Sequence, residues 1–130
     1  MTLRLVSVAA LVLSFVQPML AQKPDPRREP ATAIAEMVRL LEGKDYVTLL
    51  KTFARPDDLK QMLATKTIEV VAAEFAEKKA AGALEALKAA STMKPELTAD
   101  GTRADYRFGR PIGGDTKVTL MKIGELWYLR

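Results

Sequence analysis

Any catalysis by this chain would rest on carboxylates, tyrosines, lysines and arginines, because its 130 residues contain no histidine and no cysteine. That composition removes thiol nucleophiles, disulfides, histidine general bases, Ser-His-Asp and Cys-His machinery and the usual zinc ligands. What remains is sparse. Tyr106 follows Asp105, and a tyrosine facing a buried carboxylate of raised pKa is the pairing that isomerase-like or dehydratase-like chemistry would use. Asp57 and Asp58 form an acidic doublet. Acids are favoured at a helix N-terminus by the macrodipole, and no Asp-x-Asp-x-Asp-Gly loop accompanies these two. No metal, no cofactor and no catalytic residue is therefore assigned. Tyr46, Tyr106, Phe108 and Trp127 are the candidate lining of a cavity for a small apolar ligand, and core packing is the plainer use of the same rings.

Most of these side chains would be positioned by the last third of the chain, which reads as four short antiparallel strands. Asp100-Gly101 separates Glu96-Leu97-Thr98 from a strand through Phe108 and suits a type I′ hairpin turn. Gly124-Glu125, with glycine first, suits a type II′ turn between a strand ending at Ile123 and a strand starting at Leu126. Gly109, Pro111, Gly113 and Gly114 predict a longer irregular loop between the two hairpins. Two-residue turns set register. Leu97 should then oppose Ala104, Leu120 should oppose Leu129 and Lys122 should oppose Trp127.

One face of this sheet collects Leu97, Ala104, Tyr106, Phe108, Val118, Leu120, Trp127 and Leu129. The other carries Glu96, Thr98, Arg103, Asp105, Arg107, Lys117, Thr119, Met121 and Tyr128, an alternation expected of a sheet wet on one side. Asp105 and Tyr106 thus point to opposite faces. Glu96, Arg103, Asp105 and Arg107 form a charged cluster on the wet face, read as a solvated sheet face with a partner surface as the alternative, and truncation of Thr119 there is expected to cost little.

Helices must cover the apolar face. Ile34, Met37, Val38 and Leu41 recur at helical spacing and predict a helix over residues 31–42, with Gly43 as its C-cap. Asp45 caps a second helix carrying Tyr46, Leu49, Leu50 and Phe53. Pro56 restarts a short third helix that should turn Leu59, Met62 and Leu63 inward. Thr67 opens the longest helical stretch, with Ile68, Val71, Ala72 and Phe75 on its stripe. Gly82 should interrupt or bend it before it runs on to about Ala90. The expected fold is α+β, with N-terminal helices packed on one face of a C-terminal four-stranded antiparallel meander.

Residues 1–21 read as a secretory signal peptide: Arg4, an uncharged and largely apolar run of 12 residues over 5–16, then Pro18 and Ala21 ahead of a cut near Gln22. The run is shorter than the ~20 residues of a spanning helix, so the expected product is periplasmic or secreted, with no stable membrane anchor. Residues 22–30 hold three prolines and read as an extended linker, leaving 31–130 as one domain. Net charge is +4, or +3 without Arg4. That bias is mild, and nucleic-acid binding is not expected, since stacking aromatics fall on the core face instead.

The helix, Gly-Lys-Asp-Tyr, helix pattern around residues 41–53, the long later helix and the ending Lys117-Val118-Thr119-Leu120-Met121-Lys122-Ile123-Gly124-Glu125-Leu126-Trp127-Tyr128-Leu129 resemble the cone-shaped α+β superfamily of nuclear transport factor two, which includes ketosteroid isomerase and SnoaL-type proteins. The resemblance spans residues 31–130. The superfamily contains enzymes, ligand binders and association domains, so the resemblance implies any of these uses of the same fold; the partners expected are a small apolar ligand, a protein partner or a second copy in a homodimer. The family's inserted strand material is replaced here by 56–66, and no family catalytic residue maps onto this chain. The function expected is an exported domain that binds a small ligand or a protein partner without catalysis. The alternatives are an enzyme using a cavity tyrosine and carboxylate, and a structural envelope or stress-related protein.

Overall fold

A computed structural model describes residues 24–130; the expected signal segment and its cleavage point lie outside them. Among the described residues, five α-helices precede a four-stranded sheet: α1 Pro30–Glu42, α2 Tyr46–Phe53, α3 Pro56–Leu63, α4 Ile68–Lys78 and α5 Ala80–Ala90, then β1 Glu96–Leu97, β2 Arg103–Ile112, β3 Asp115–Ile123 and β4 Leu126–Leu129. The sheet order is β1-β2-β3-β4, all antiparallel. The expected α+β layout is the one observed.

Helix boundaries follow local chemistry. Pro30 takes the first position of α1, where a missing N–H costs nothing. The Thr48 N–H donates to the Asp45 carboxylate at 3.2 Å and starts α2, while the Val70 N–H donates to the Thr67 hydroxyl at 3.3 Å and starts α4. The end of α1 departs from expectation. Gly43 is right-handed, and the left-handed residue is Lys44 at φ 57°. Asp45 N–H donates to Leu40 O and Lys44 N–H to Leu41 O, the two bonds of a Schellman cap. The stop is made by those bonds rather than by glycine's freedom.

The long helical stretch breaks at Lys79 (φ −128°) and not at Gly82, which lies inside α5. Gly82 has a different task. A Cβ there would stand 2.5 Å from the Gly113 carbonyl oxygen, so the helix and the β2–β3 turn touch backbone to backbone. The predicted irregular loop over 109–115 is in fact strand. β2 runs to Ile112, which pairs with Asp115 across Gly113-Gly114, both at positive φ as a type I′ turn requires. The irregularity is a bulge: the pairs Arg107 with Lys117 and Ile112 with Asp115 leave Phe108 to Pro111 opposite Thr116 alone. Pro111 has no N–H for a ladder, so a bulge is where it fits.

The other two turns keep the expected register. Leu97 opposes Ala104, Leu120 opposes Leu129 and Lys122 opposes Trp127. Gly124 alone has positive φ in its turn, as type II′ demands. The β1–β2 turn is not type I′. Only Gly101 is left-handed there, and the Gly101 N–H closes a turn onto Thr98 O at 2.9 Å.

The core lies between the sheet's apolar face and the helices. Ala33, Ile34, Met37, Leu40 and Leu41 of α1 and Ala86, Leu87 and Ala90 of α5 meet Ala104, Tyr106, Val118, Leu120 and Trp127. Two expected inward residues do not join it. Leu97 is 59% exposed on the short β1, and α3 buries none of its residues, with Leu63 40% exposed. An eight-residue helix spanning the outside of the α2–α4 connection has no second layer to bury against.

The expected extended linker is also ordered over its described part. Pro26–Arg28 form a 3₁₀ turn capped by Asp25. Arg27 donates to Asp25 and to Thr52 O at 3.2 Å, and its guanidinium sits 5.7 Å from the centre of the Tyr128 ring. The Arg27 guanidinium and backbone N–H hold the Asp25 carboxyl down to about 2. Ala54 forms a parallel bridge to Leu129. Together these segments cover the outer edge of β4, where an unpaired strand would otherwise invite association.

Candidate functional site

The helix layer does not close completely over the sheet. β4 pairs only with Leu120 to Ile123, and the Arg130 N–H adds one bond to Thr119 O. Among the described residues, the Asp115 to Val118 stretch of β3 therefore has no strand beside it on that side. There a cleft of about 660 Å³ runs in between α2, α4, α5 and the sheet edge. Its walls include Leu49, Phe53, Val71, Phe75, Leu87 and Leu129. Its size lies within the ~300–1,000 Å³ typical of small-molecule sites.

Four of the wall residues are placed by helix caps. The Asp45 cap starts α2 so that Leu49 and Phe53, one helical turn apart, share a face. The Thr67 cap does the same for Val71 and Phe75 on α4. The break at Lys79 redirects the chain so that α4 and α5 flank the cleft, and the Gly82–Gly113 contact holds α5 against the β2–β3 turn at one end.

None of the four candidate aromatics is among the residues lining this cleft. Tyr106 and Trp127 are core residues, 2% and 5% exposed. Phe108 is half-buried against the same core. Tyr46 is half-buried with its ring 5.8 Å from that of Phe75, so it backs a wall residue without lining the cleft itself. Burial pushes the Tyr106 hydroxyl above its ordinary value. The lining missed by the sequence reading comes from the second helix stripe and from four rim cations, Lys78, Lys79, Lys117 and Arg130. The Leu49 and Phe53 periodicity was legible as an apolar face, and both are buried; that half-buried Phe75, Ala83 and Leu129 border an opening beside them was not.

Two carboxylates reach the cleft, Glu74 and Asp115. Asp115 is exposed. Glu74 accepts from the Lys66 ammonium at 2.8 Å on both oxygens, and this bond holds its carboxyl below the usual range. An acid–base catalyst of the expected kind needs the opposite shift, and the tyrosine that would accompany it is in the core.

The strongest polar constellation lies on the outer sheet face. Asp105 is buried, although it points away from the helices. The Thr119 hydroxyl donates to Asp105 Oδ1 at 2.6 Å, Arg103 Nε donates at 3.1 Å, and Arg107 stands 3.6 Å from Oδ2 and bridges to Glu96 at 3.6 Å. The bond from Thr119, followed by that from Arg103, outweighs burial and keeps the carboxyl below its ordinary value. This cluster was expected as a solvated face; its arginines instead lie over the carboxylate and shield it. With its charge fully paired, it is built to hold strands together rather than to transfer protons.

Among the described residues no group of three or more acidic side chains is arranged to hold a metal ion, and no helix is long and apolar enough to cross a membrane. No protein-family model, curated protein or solved structure matches the chain.

Proposed function

We propose that this protein is a small-ligand-binding domain that acts through the cleft between α2, α4, α5 and the free stretch of β3, without chemistry on its ligand. The observation that carries this reading is an apolar cleft of about 660 Å³ left open in an otherwise closed core. Apolar wall area kept from water by a ligand contributes roughly 25 cal/mol per Å², which favours an apolar or amphiphilic guest. The proposed place of action is the periplasm or the medium, after removal of residues 1–21. Intact-mass measurement on protein recovered from the envelope or medium checks this, and a mature chain that retains Met1 overturns it. Helices layered on one sheet face favour the proposed kinship with the nuclear transport factor two superfamily, while α3, standing where that family places strand, weighs against it.

The direct test is to fill the cleft. Ala83 lies on its α5 wall and is half-buried. Ala83→Phe is expected to leave the far-UV spectrum unchanged and to abolish the thermal stabilisation produced by apolar hits from a ligand screen. Hits that stabilise the filled variant as strongly as the native protein place binding elsewhere and overturn the proposal. The rival acid–base reading makes a separate demand: Tyr106→Phe and Glu74→Gln would have to abolish a turnover detected with the native protein.

A further inference from the structure

The cleft is apolar inside but charged at its mouth, and the two properties are arranged in sequence. Around the free stretch of β3 it joins a second, shallower hollow of about 440 Å³ lined by Asp115, Thr116, Lys117, Thr119 and Arg130. The two spaces share Asp115, Lys117, Thr119 and Arg130. Thr119 is committed to Asp105. Lys117 and Arg130 form no ion pair among the described residues; the same holds for scattered surface cations such as Lys44, Lys60 and Lys94, but Lys117 and Arg130 line both hollows where these meet. Lys78 and Lys79, also unpaired among the described residues, stand at the α4–α5 rim. Against these four cations the rim offers Asp115 and a Glu74 already engaged by Lys66.

Resting on the ligand-binding reading above, we infer that the guest is a single-chain amphiphile with an anionic head, its chain in the apolar cleft and its head at Lys117 and Arg130 where the two hollows meet. The uncompensated cations favour an anion and disfavour a cation at that point. Lysine and arginine reach such a position by laying their methylene stems along apolar wall while the charge stays in the hollow. A purely apolar guest would leave the polar hollow unused, and a small hydrophilic anion would leave the cleft unfilled. The anionic chemistry is common to fatty carboxylates and to alkyl phosphates, and the two are separated by experiment.

The test is isothermal titration calorimetry of the full-length protein with dodecanoate, dodecyl phosphate, dodecanol and dodecyltrimethylammonium, all below their micelle concentrations. Dodecanoate or dodecyl phosphate, whichever head fits, is expected to bind at least tenfold more tightly than dodecanol, and the cationic amphiphile more weakly than either. Shortening the chain by one methylene should weaken binding about fourfold (~0.8 kcal/mol per buried CH₂). The Lys117→Glu, Arg130→Glu double variant should erase the preference for an anion over dodecanol; an unchanged far-UV spectrum and urea midpoint certify that this variant is folded. Equal binding of dodecanol and both anions overturns the head-group assignment and leaves the apolar cleft standing. Retained preference in the double variant likewise overturns it. Failure of all four probes to bind overturns the ligand-binding reading together with this inference.

Discussion

Two turns of the same sheet each place a glycine at positive φ in their first position and answer to different surroundings. Gly113-Gly114 joins β2 to β3 and Gly124-Glu125 joins β3 to β4, each through two residues, with Gly113 at φ 62° and Gly124 at φ 65°. A Cβ added at Gly124 would meet nothing within 4 Å. One added at Gly113 would lie 2.8 Å from the Gly82 carbonyl carbon and closer still to its oxygen. Gly124 is glycine for the sake of its own backbone. Gly113 is glycine also because a helix distant in sequence rests on it, and that contact anchors one end of the cleft. A similar positive φ at the first position of each turn therefore conceals unequal structural weight.

The comparison predicts a ranked series, measured by urea unfolding followed through Trp127, the single tryptophan of the chain. Gly113→Ala should cost most, about 2–4 kcal/mol, from left-handed strain of ~1–2 kcal/mol added to overpacking of ~1–3 kcal/mol against helix backbone. It should also weaken the proposed ligand binding, since α5 must back away from the turn. A loss no greater than that at Gly124 would break the comparison.

Gly82→Ala is the sharper test because its sign is inverted. Glycine to alanine within a helix ordinarily stabilises by ~1 kcal/mol. Here the new methyl would meet Gly113 O at 2.5 Å, and a net loss of about 1–2 kcal/mol is expected once overpacking outweighs propensity. Stabilisation would mean that the helix and turn do not touch.

Gly124→Ala should cost about 1–2 kcal/mol, the strain alone, and Gly124→Asn about as much, because the first position of a type II′ turn lies outside the left-handed helical region that asparagine tolerates. A clearly smaller cost for Asn would show that the turn is not type II′.

The smallest effect belongs to the third turn. The Thr98 hydroxyl, then the Thr102 N–H and hydroxyl, hold the Asp100 carboxyl at about 2, against 3.8 ordinarily. A folded-state pKa below the unfolded one stabilises fully above the unfolded value, and that contribution is lost as pH falls toward about 2. Asp100→Asn should flatten the acid limb of stability in that window, read as a smaller fall in urea midpoint between about pH 4 and about pH 2 than the native protein shows. Carbon-detected NMR titration of Asp100 with a midpoint near the ordinary carboxylate value would remove the basis for this expectation.

Thr119 corrects one expectation of the sequence reading and shows its limit. Its place on the outer face was legible from two turns and a period of two. Its burial was not, because Arg103 and Arg107 reach across from β2 to enclose the Asp105–Thr119 bond. Thr119→Ala therefore removes a buried hydrogen bond to a charged group and is expected to cost about 1.5–3 kcal/mol rather than the small penalty of a solvated site.

What the amino-acid order determined by itself is whatever depends on neighbours along the chain. Asp45 and Thr67 start helices because their side-chain oxygens reach N–H groups three residues on. Gly124 sets the register of Leu120 against Leu129 because a two-residue turn leaves no other pairing. Alternation then assigned Tyr106 and Trp127 to the core, where burial confirms them. Tertiary structure decided what depends on segments meeting from far apart. Gly82 met Gly113, so a residue expected to break a helix became the contact that seats it. Arg27 met Thr52 and Tyr128, so an expected linker became the cover of a strand edge. The cleft arose because β4 leaves part of β3 unpaired while α4 and α5 stand apart at Lys79. Local rules act over a few residues of fixed covalent geometry and can be read in order; an opening between layers is set by how far whole elements approach, which no short stretch of sequence encodes.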